Sequence, residues 1–323
     1  MSVLAASSKP RLHLILDFDG TITKDDTTAI IGSRCLNEAR RRASPNLPEC
    51  KLPQPMQYYS ERYMTEHGEW QKTIAGKAES QTIDEELDRL SASRHTEQAS
   101  FMRVRDAVLS VRGSMTALIS DVDKLDSFMT EAGRQAVRSG EVEIRDPKGL
   151  KELLSTAAVE GNEWGIVSVS WSQRFIEGVL LESELVSKQQ LRDLSQRIKC
   201  NELLAARSST ELICSARDKL ACMEGLLAEW ENADLQPALA VYVGDSTTDL
   251  GCLTRPAVGM YMQKGSADGD KVLNTLSRLG VAAMPVAELP DLVHANSQSR
   301  RFVGVTRGFE EVSEWLTRCL RAY

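Results

Sequence analysis

Short apolar runs recur along this chain, and several of them stop abruptly on aspartate, serine or glycine. The clearest are Leu12–Leu16, apolar except for His13, then 164–170 (Trp-Gly-Ile-Val-Ser-Val-Ser), 239–243 and 258–262. Unbroken apolar stretches of this length, rather than alternating ones, predict strands covered on both faces by helices. Residues 198–203 and 281–286 read as two further short strands, and 205–209 as a turn. Between them the pattern becomes helical. Asp146-Pro147 supplies an N-cap and a first-turn proline for a helix running to about Val159, closed by Gly161-Asn162. Helices are also expected over 172–181, 189–195, 215–230 and 309–321, the fourth carrying Leu220, Met223, Leu226 and Leu227 on one side. Strands alternating with helices predict an α/β fold with a Rossmann-like parallel sheet core.

One block breaks the alternation. From Asp25 to about Glu143 no strand signal appears. A helix from Thr27 to Arg42 has cap candidates in Asp25-Asp26-Thr27-Thr28, and a loop follows with Pro45, Pro48, Pro53 and Pro55. Residues 57–73 form a likewise helical stretch with Tyr58, Tyr59, Tyr63 and Trp70; residues 80–138 divide into three or four helices around Ser100, Gly113-Ser114 and Asp121 to Asp123. The expected organisation is a core of residues 1–24 plus 144–323, with an all-helical unit, 25–143, inserted after the first strand and above its C-terminal end. The rings of Tyr58, Tyr59, Tyr63 and Trp70 can pack that unit together or stack on a ligand.

Composition narrows the setting. The chain has 323 residues, 42% hydrophobic and 26% charged, as a soluble globular protein does. A net charge of −7 argues against a nucleic-acid partner, and the apolar runs are too short to span a membrane. Residues 1–9 lack the pattern of a secretory signal and read as a disordered leader. Seven scattered cysteines without a C-x-x-C pair, four histidines and no N-x-[ST] sequon point to a reducing, cytoplasmic location rather than to a disulfide scaffold or zinc site.

The candidate chemistry gathers where strands end. After Leu16 come Asp17-Phe-Asp-Gly-Thr-Ile-Thr23. Residues i and i+2 of an extended segment share a side, so Asp17 and Asp19 converge while Phe18 points inward. Paired carboxylates attract a hard divalent cation, Gly20 allows a sharp exit, and Thr21 offers a hydroxyl and an amide to an anion. This heptapeptide resembles the first motif of the haloacid dehalogenase superfamily in the form carried by its phosphatases. The resemblance implies that Asp17 is a nucleophile and Asp19 a general acid and base.

Three further segments resemble the remaining motifs, in the family's order. Ser168, at the end of Ile166-Val-Ser168, matches the phosphate-binding hydroxyl, with Ser170 as the alternative. Val169, Ser170 and Trp171 stand where phosphoserine phosphatases place glycines, so a large ring lies at the mouth of this loop. Lys219, in Ala216-Arg-Asp-Lys219, matches the lysine that neutralises nucleophile and phosphate. Gly244-Asp245-Ser-Thr-Thr-Asp249 resembles the G-D-x-x-x-D motif. The family likeness implies a helical cap of the C1 type, as in phosphoserine phosphatases, and Mg2+ held by Asp17, Asp245 and the Asp19 carbonyl, with Asp249 ligating or orienting a water.

The expected activity is Mg2+-dependent hydrolysis of a small-molecule phosphomonoester through an aspartyl-phosphate, with neither nucleic acid nor membrane as partner. A phosphotransferase or mutase would use the same residues, and a non-catalytic binding protein could use the same fold. Asp19 disfavours dehalogenation. The Tyr58, Tyr59, Tyr63 and Trp70 helix, Trp171 and residues 198–203 further resemble the phosphatase domain of plant thiamine monophosphate phosphatases and their fungal relatives. A pyrimidine or thiazole phosphate, phosphoserine, a nucleoside monophosphate and a pyridoxine-type phosphate all remain open as substrates.

Overall fold

A computed structural model describes residues 11–75, 79–111, 115–204, 212–233, 238–255, 257–265, 270–290 and 302–321. The expected leader, the Gly113-Ser114 break and the turn at 205–209 lie outside them. Among the described residues seven strands form one parallel sheet: β1 (Arg11–Leu16), β2 (Glu163–Val167), β3 (Ile198–Lys199), β4 (Ala238–Gly244), β5 (Val258–Met262), β6 (Ala282–Pro285) and β7 (Phe302–Thr306). Their order across the sheet is β3-β2-β1-β4-β5-β7-β6. The chain steps outward from β1 to β2 and β3, then returns to the other side of β1 with β4. That reversal opens a crevice at the carboxyl ends of β1 and β4, the place where open parallel sheets bind ligands.

Register brings the motifs level. Leu16 pairs with Ile166 on one side and Val243 on the other, so the residues just past β1, β2 and β4 emerge at one edge. The central strands are apolar because both faces are covered: Leu12, Leu14 and Leu16 belong to one core cluster, Ile15 and Tyr242 to the other.

Helices α1 (Thr28–Arg42), α2 (Met56–Ala75), α3 (Ile83–Ser91), α4 (Arg94–Ser110), α5 (Thr116–Ile119) and α6 (Val122–Arg138) follow β1. The two ends of this helical block meet: Thr23 bridges Ile144, Lys24 N–H donates to the Glu143 carbonyl and Arg145 N–H to that of Ile22 (both 2.9 Å). Helices α7 (Pro147–Ala157), α8 (Gln173–Glu182), α9 (Lys188–Leu194), α10 (Ala216–Ala233), α11 (Leu250–Thr254), α12 (Lys271–Arg278) and α13 (Phe309–Arg321) alternate with the later strands. α1, α2 and α4 pack on one another above the crevice, α6 runs along α8, and α3 rests on α10 and α11.

Four local expectations are corrected. Ser100 does not break a helix; it is buried within α4, and the break falls at Ala92-Ser93. The strand over 198–203 shrinks to two residues, because Asn201 and Leu203 bond to the loop after β2 instead of to a neighbouring strand. β7 went unseen, its run Phe-Val-Gly-Val-Thr being interrupted by Gly304. Thr27 precedes α1 but makes no capping bond with its side chain, whose hydroxyl serves Asp19 instead. Asp146 behaves as expected: it sits at φ 41°, accepts from Gly149 N–H (3.1 Å) and also from Glu310 N–H (2.8 Å), tying α7 to α13.

Candidate active site

Asp17 is the first residue beyond β1. Its N–H continues the sheet ladder to the Val243 carbonyl (2.9 Å), which fixes the backbone, and its Oδ1 accepts from Phe18 N–H (2.7 Å) and lies 2.8 Å from Lys219 Nζ. Phe18 is fully buried, as the alternation requires. Gly20 then turns the chain at φ 78°; a Cβ there would fall 2.1 Å from Lys264 Nζ and 2.6 Å from Asp245 Oδ2, so both the turn and the crowding demand glycine. The turn places Asp19 so that Oδ1 accepts from both Thr27 N–H (2.8 Å) and Thr27 Oγ1 (2.6 Å), while the buried Oδ2 has no hydrogen-bond partner among the described residues.

Lys219 comes from the first turn of α10 and is completely buried between two carboxylates, Asp17 and Asp249 (2.6 Å). Against the cost of burial, those two charges raise its pKa and keep it an ammonium. Asp249 is the best-satisfied acid of the group. Its Oδ1 accepts from Tyr242 Oη (2.6 Å), and its Oδ2 from Asp245 N–H, Ser246 N–H and Ser246 Oγ (3.1, 3.0 and 2.9 Å). Burial opposes its ionisation, but Lys219 and these donors outweigh it and lower its pKa. Gly244 makes the fit possible, since a Cβ there would meet the Asp249 carboxyl carbon at 2.5 Å. Asp245 accepts from Thr21 Oγ1 on Oδ1 (3.0 Å) and holds Lys264 Nζ on Oδ2 (2.5 Å).

Asp17, Asp245 and Asp249 offer carboxylate oxygens that all lie within 4.8 Å of one another. Desolvation raises Asp17 well above the usual carboxylate range, with Asp249 and Asp245 adding to the rise against Lys219. Desolvation followed by repulsion from Asp249 raises Asp245 as well. For Asp19, burial and then the charge of Asp26 push the carboxyl up to about 7. An all-oxygen set whose members repel one another fits a hard divalent ion.

The other expected residues divide. Val169 and Trp171 line a cavity of about 450 Å³ together with Asp17, Asp19 and Asp245. Ser168 lies beneath: it is fully buried, its N–H donates to the Lys199 carbonyl (2.9 Å) and its Oγ accepts from Ser170 N–H (3.1 Å). Ser170 is also fully buried, and its Oγ has no partner among the described residues. The Thr21 hydroxyl is committed to Asp245. Of the α2 rings, Tyr59 is buried in the core, Tyr58 is exposed, Tyr63 lines the cavity, and Trp70 lines an adjoining cleft.

Three residues escaped sequence reasoning. Lys264 follows β5 by two positions, and a lysine just past a parallel strand was the signal available. Asn201 clamps the loop after β2: its Nδ2 donates to the carbonyls of Val169 (2.9 Å) and Ile213 (3.0 Å), and its Oδ1 accepts from Ile213 N–H (2.8 Å). Glu97, from α4, accepts from Tyr63 Oη (2.6 Å) on the cavity wall; nothing in its helical surroundings marked it.

No protein-family profile matches the chain. A CTO1 family protein of Schizosaccharomyces pombe is 25% identical over 292 residues, covering 85% of this chain and 89% of that one. The thiamine monophosphate phosphatase likeness gains nothing from this relative. Among solved structures, a phosphoserine phosphohydrolase-like protein of Francisella tularensis covers 94% of this chain and 98% of its own at 13% identity and a TM-score of 0.42. A phosphoserine phosphatase with a phospho-aspartyl intermediate analogue covers 78% of this chain and 87% of its own, at 14% identity and a TM-score of 0.36.

Proposed function

We propose that this chain is a divalent-metal-dependent phosphomonoesterase that works through an aspartyl-phosphate on Asp17. The observation that carries this is the pairing of roles on adjacent carboxylates: Asp17 at the switch point with Lys219 on its Oδ1, and Asp19 beside it with a buried, bare Oδ2 and a pKa of about 7. Asp17 attacks phosphorus, the bond to the ester oxygen breaks, and Asp19 passes its proton to the departing alkoxide. The Asp19 carboxylate then takes a proton from water, whose oxygen attacks the aspartyl-phosphate; phosphate leaves and both side chains return to their starting states. Lys219 offsets the charge of nucleophile and phosphate, and Asp249 holds that ammonium in place.

Asp17, Asp245 and the Asp19 carbonyl would hold Mg2+, which when bound supplies neutralisation of the phosphate dianion against Asp17. Asp249, with both oxygens already engaged, has a positioning part. Ser168 and Ser170, both fully buried, shape the second loop, whose Val169 and Trp171 face the cavity. The block 25–143 acts as a cap, of which α1, α2 and α4 form the wall over the cavity; the side-by-side entry and exit at Thr23 and Ile144 support that role. The test is phosphate release from a panel of small phosphomonoesters with and without Mg2+, comparing wild type with Asp17→Asn. Release that needs both the metal and Asp17 is expected; equal release by the variant, or none by a folded wild type, overturns the proposal.

A further inference from the structure

The cavity over Asp17 is lined by carboxylates at both ends, and cations match them at one end. At the sheet end stand the two lysines that accompany the carboxylates, Lys219 and Lys264. At the helical end the wall carries Asp26, just before α1, and Glu97 from α4, and among the described residues neither is paired with a lysine or arginine. Glu66, on the same helix as Tyr63, is by contrast matched by both Arg62 and Arg103. Glu97 has only the Tyr63 hydroxyl and, at 3.8 Å, His67 Nδ1. Burial and then Lys271 lower the His67 pKa, which leaves that ring neutral at pH 7. Burial and the charge of Asp26 in turn push Glu97 up. Asp26 is exposed and Glu97 half-buried, so water screens part of their repulsion across the cavity mouth, and a positively charged ligand placed between them would relieve the rest.

The surfaces between the two ends suit the same kind of ligand. Trp171 meets Phe101 edge to face, ring centroids 5.6 Å apart, with Met56 and Met64 alongside. Aromatic faces and thioethers attract weakly hydrated organic cations. A carboxylate-bearing leaving group has no counterpart there, because Lys264 is the one cationic side chain among the described residues lining the cavity, and it stands at the phosphate end.

We propose that the substrate is the phosphomonoester of an alcohol carrying a cationic nitrogen and no carboxylate, its cation resting between Glu97, Asp26 and the Trp171–Phe101 corner. This rests on the phosphatase assignment and adds the substrate class. The experiment compares kcat/KM, with Mg2+, for phosphocholine, its neutral isostere 3,3-dimethylbutyl phosphate, and phosphoserine, with 4-nitrophenyl phosphate as a reference ester. Wild type is expected to favour phosphocholine over the isostere by about tenfold, and to favour it over phosphoserine. Glu97→Gln, whose amide oxygen can still accept from Tyr63, is expected to narrow the first ratio to near one, and Asp26→Asn to narrow it in part. A ratio near one in wild type, a ratio unchanged in Glu97→Gln, or a preference for phosphoserine overturns the substrate class while leaving the phosphatase standing. Should 4-nitrophenyl phosphate also be inert, both fall together.

Discussion

Among the described residues nothing bonds the buried Asp19 Oδ2, and the acid-base role proposed for this carboxyl starts from that. An aspartate of ordinary acidity is ionised at neutral pH and has no proton to give; at about 7 it can donate and then accept within one cycle. Asp19→Asn retains an acceptor for Thr27 but cannot shuttle a proton, so kcat should fall by about 10² to 10⁴ with the fold intact, and a fall of less than tenfold would remove Asp19 from the acid-base role. The same shift has a stability consequence. A carboxyl whose folded pKa lies above its unfolded value holds its proton more tightly in the native state, so native stability falls as pH rises from about 4 through about 7. Asp19→Asn escapes that loss. In urea titrations without divalent metal, its stability relative to wild type should be greater at about pH 8 than at about pH 4.5, by on the order of 3 kcal/mol. An equal difference at both pH values would show that Asp19 is not strained as an anion.

Elements meet at Asn201, where a single side chain joins the loop after β2 to the segment leading into α10. Asn201→Ala would strip partners from Ile213 N–H and the Val169 and Ile213 carbonyls at once. The expected cost is about 2–4 kcal/mol in urea denaturation, with KM rising more than kcat falls, because Val169 and Trp171 form cavity wall and not chemistry. A loss below about 1 kcal/mol would mean that the loop is held by other contacts. This clamp also marks where the sequence stops being legible. β1, β2, β4 and β5 can be read from local apolar runs, and Asp17, Asp19, Lys219, Asp245 and Asp249 from short motifs at the ends of elements. β7 could not, because Gly304 breaks its run, and only the packed sheet explains the glycine: a Cβ there would meet Leu289 at 2.8 Å and Val286 at 2.9 Å. Ser100 looked like a break because a polar residue within a helix usually faces water, whereas this one is buried on the cavity side. Asn201, Lys264 and Glu97 are ordinary residues in sequence; each acquires its role from partners between 12 and 34 positions away.

For the molecule as a whole, the acidic group at the switch point is a source of tension built into the core. The chain already carries a net charge of −7, and folding gathers Asp17, Asp245 and Asp249 within 4.8 Å where β1, β4 and α10 converge. Lys219 and Lys264 offset part of that repulsion, yet Asp17 and Asp245 remain raised in pKa. In the unfolded chain these carboxylates separate, so a divalent ion held by the cluster, as proposed, would bind the native state far better than the unfolded one and stabilise it by mass action. At roughly ten times its dissociation constant the gain is about 1.4 kcal/mol, enough to raise Tm by a few degrees in a chain of this size. Thermal melts with EDTA and with millimolar Mg2+ measure it directly. Asp245→Asn should lose most of the Mg2+-dependent rise, since it removes a ligand charge at the surface of the cluster while Asp249 continues to hold Lys219. A wild-type Tm indifferent to Mg2+ would mean that the lysines alone balance the cluster, and the metal-dependent mechanism would lose its physical basis.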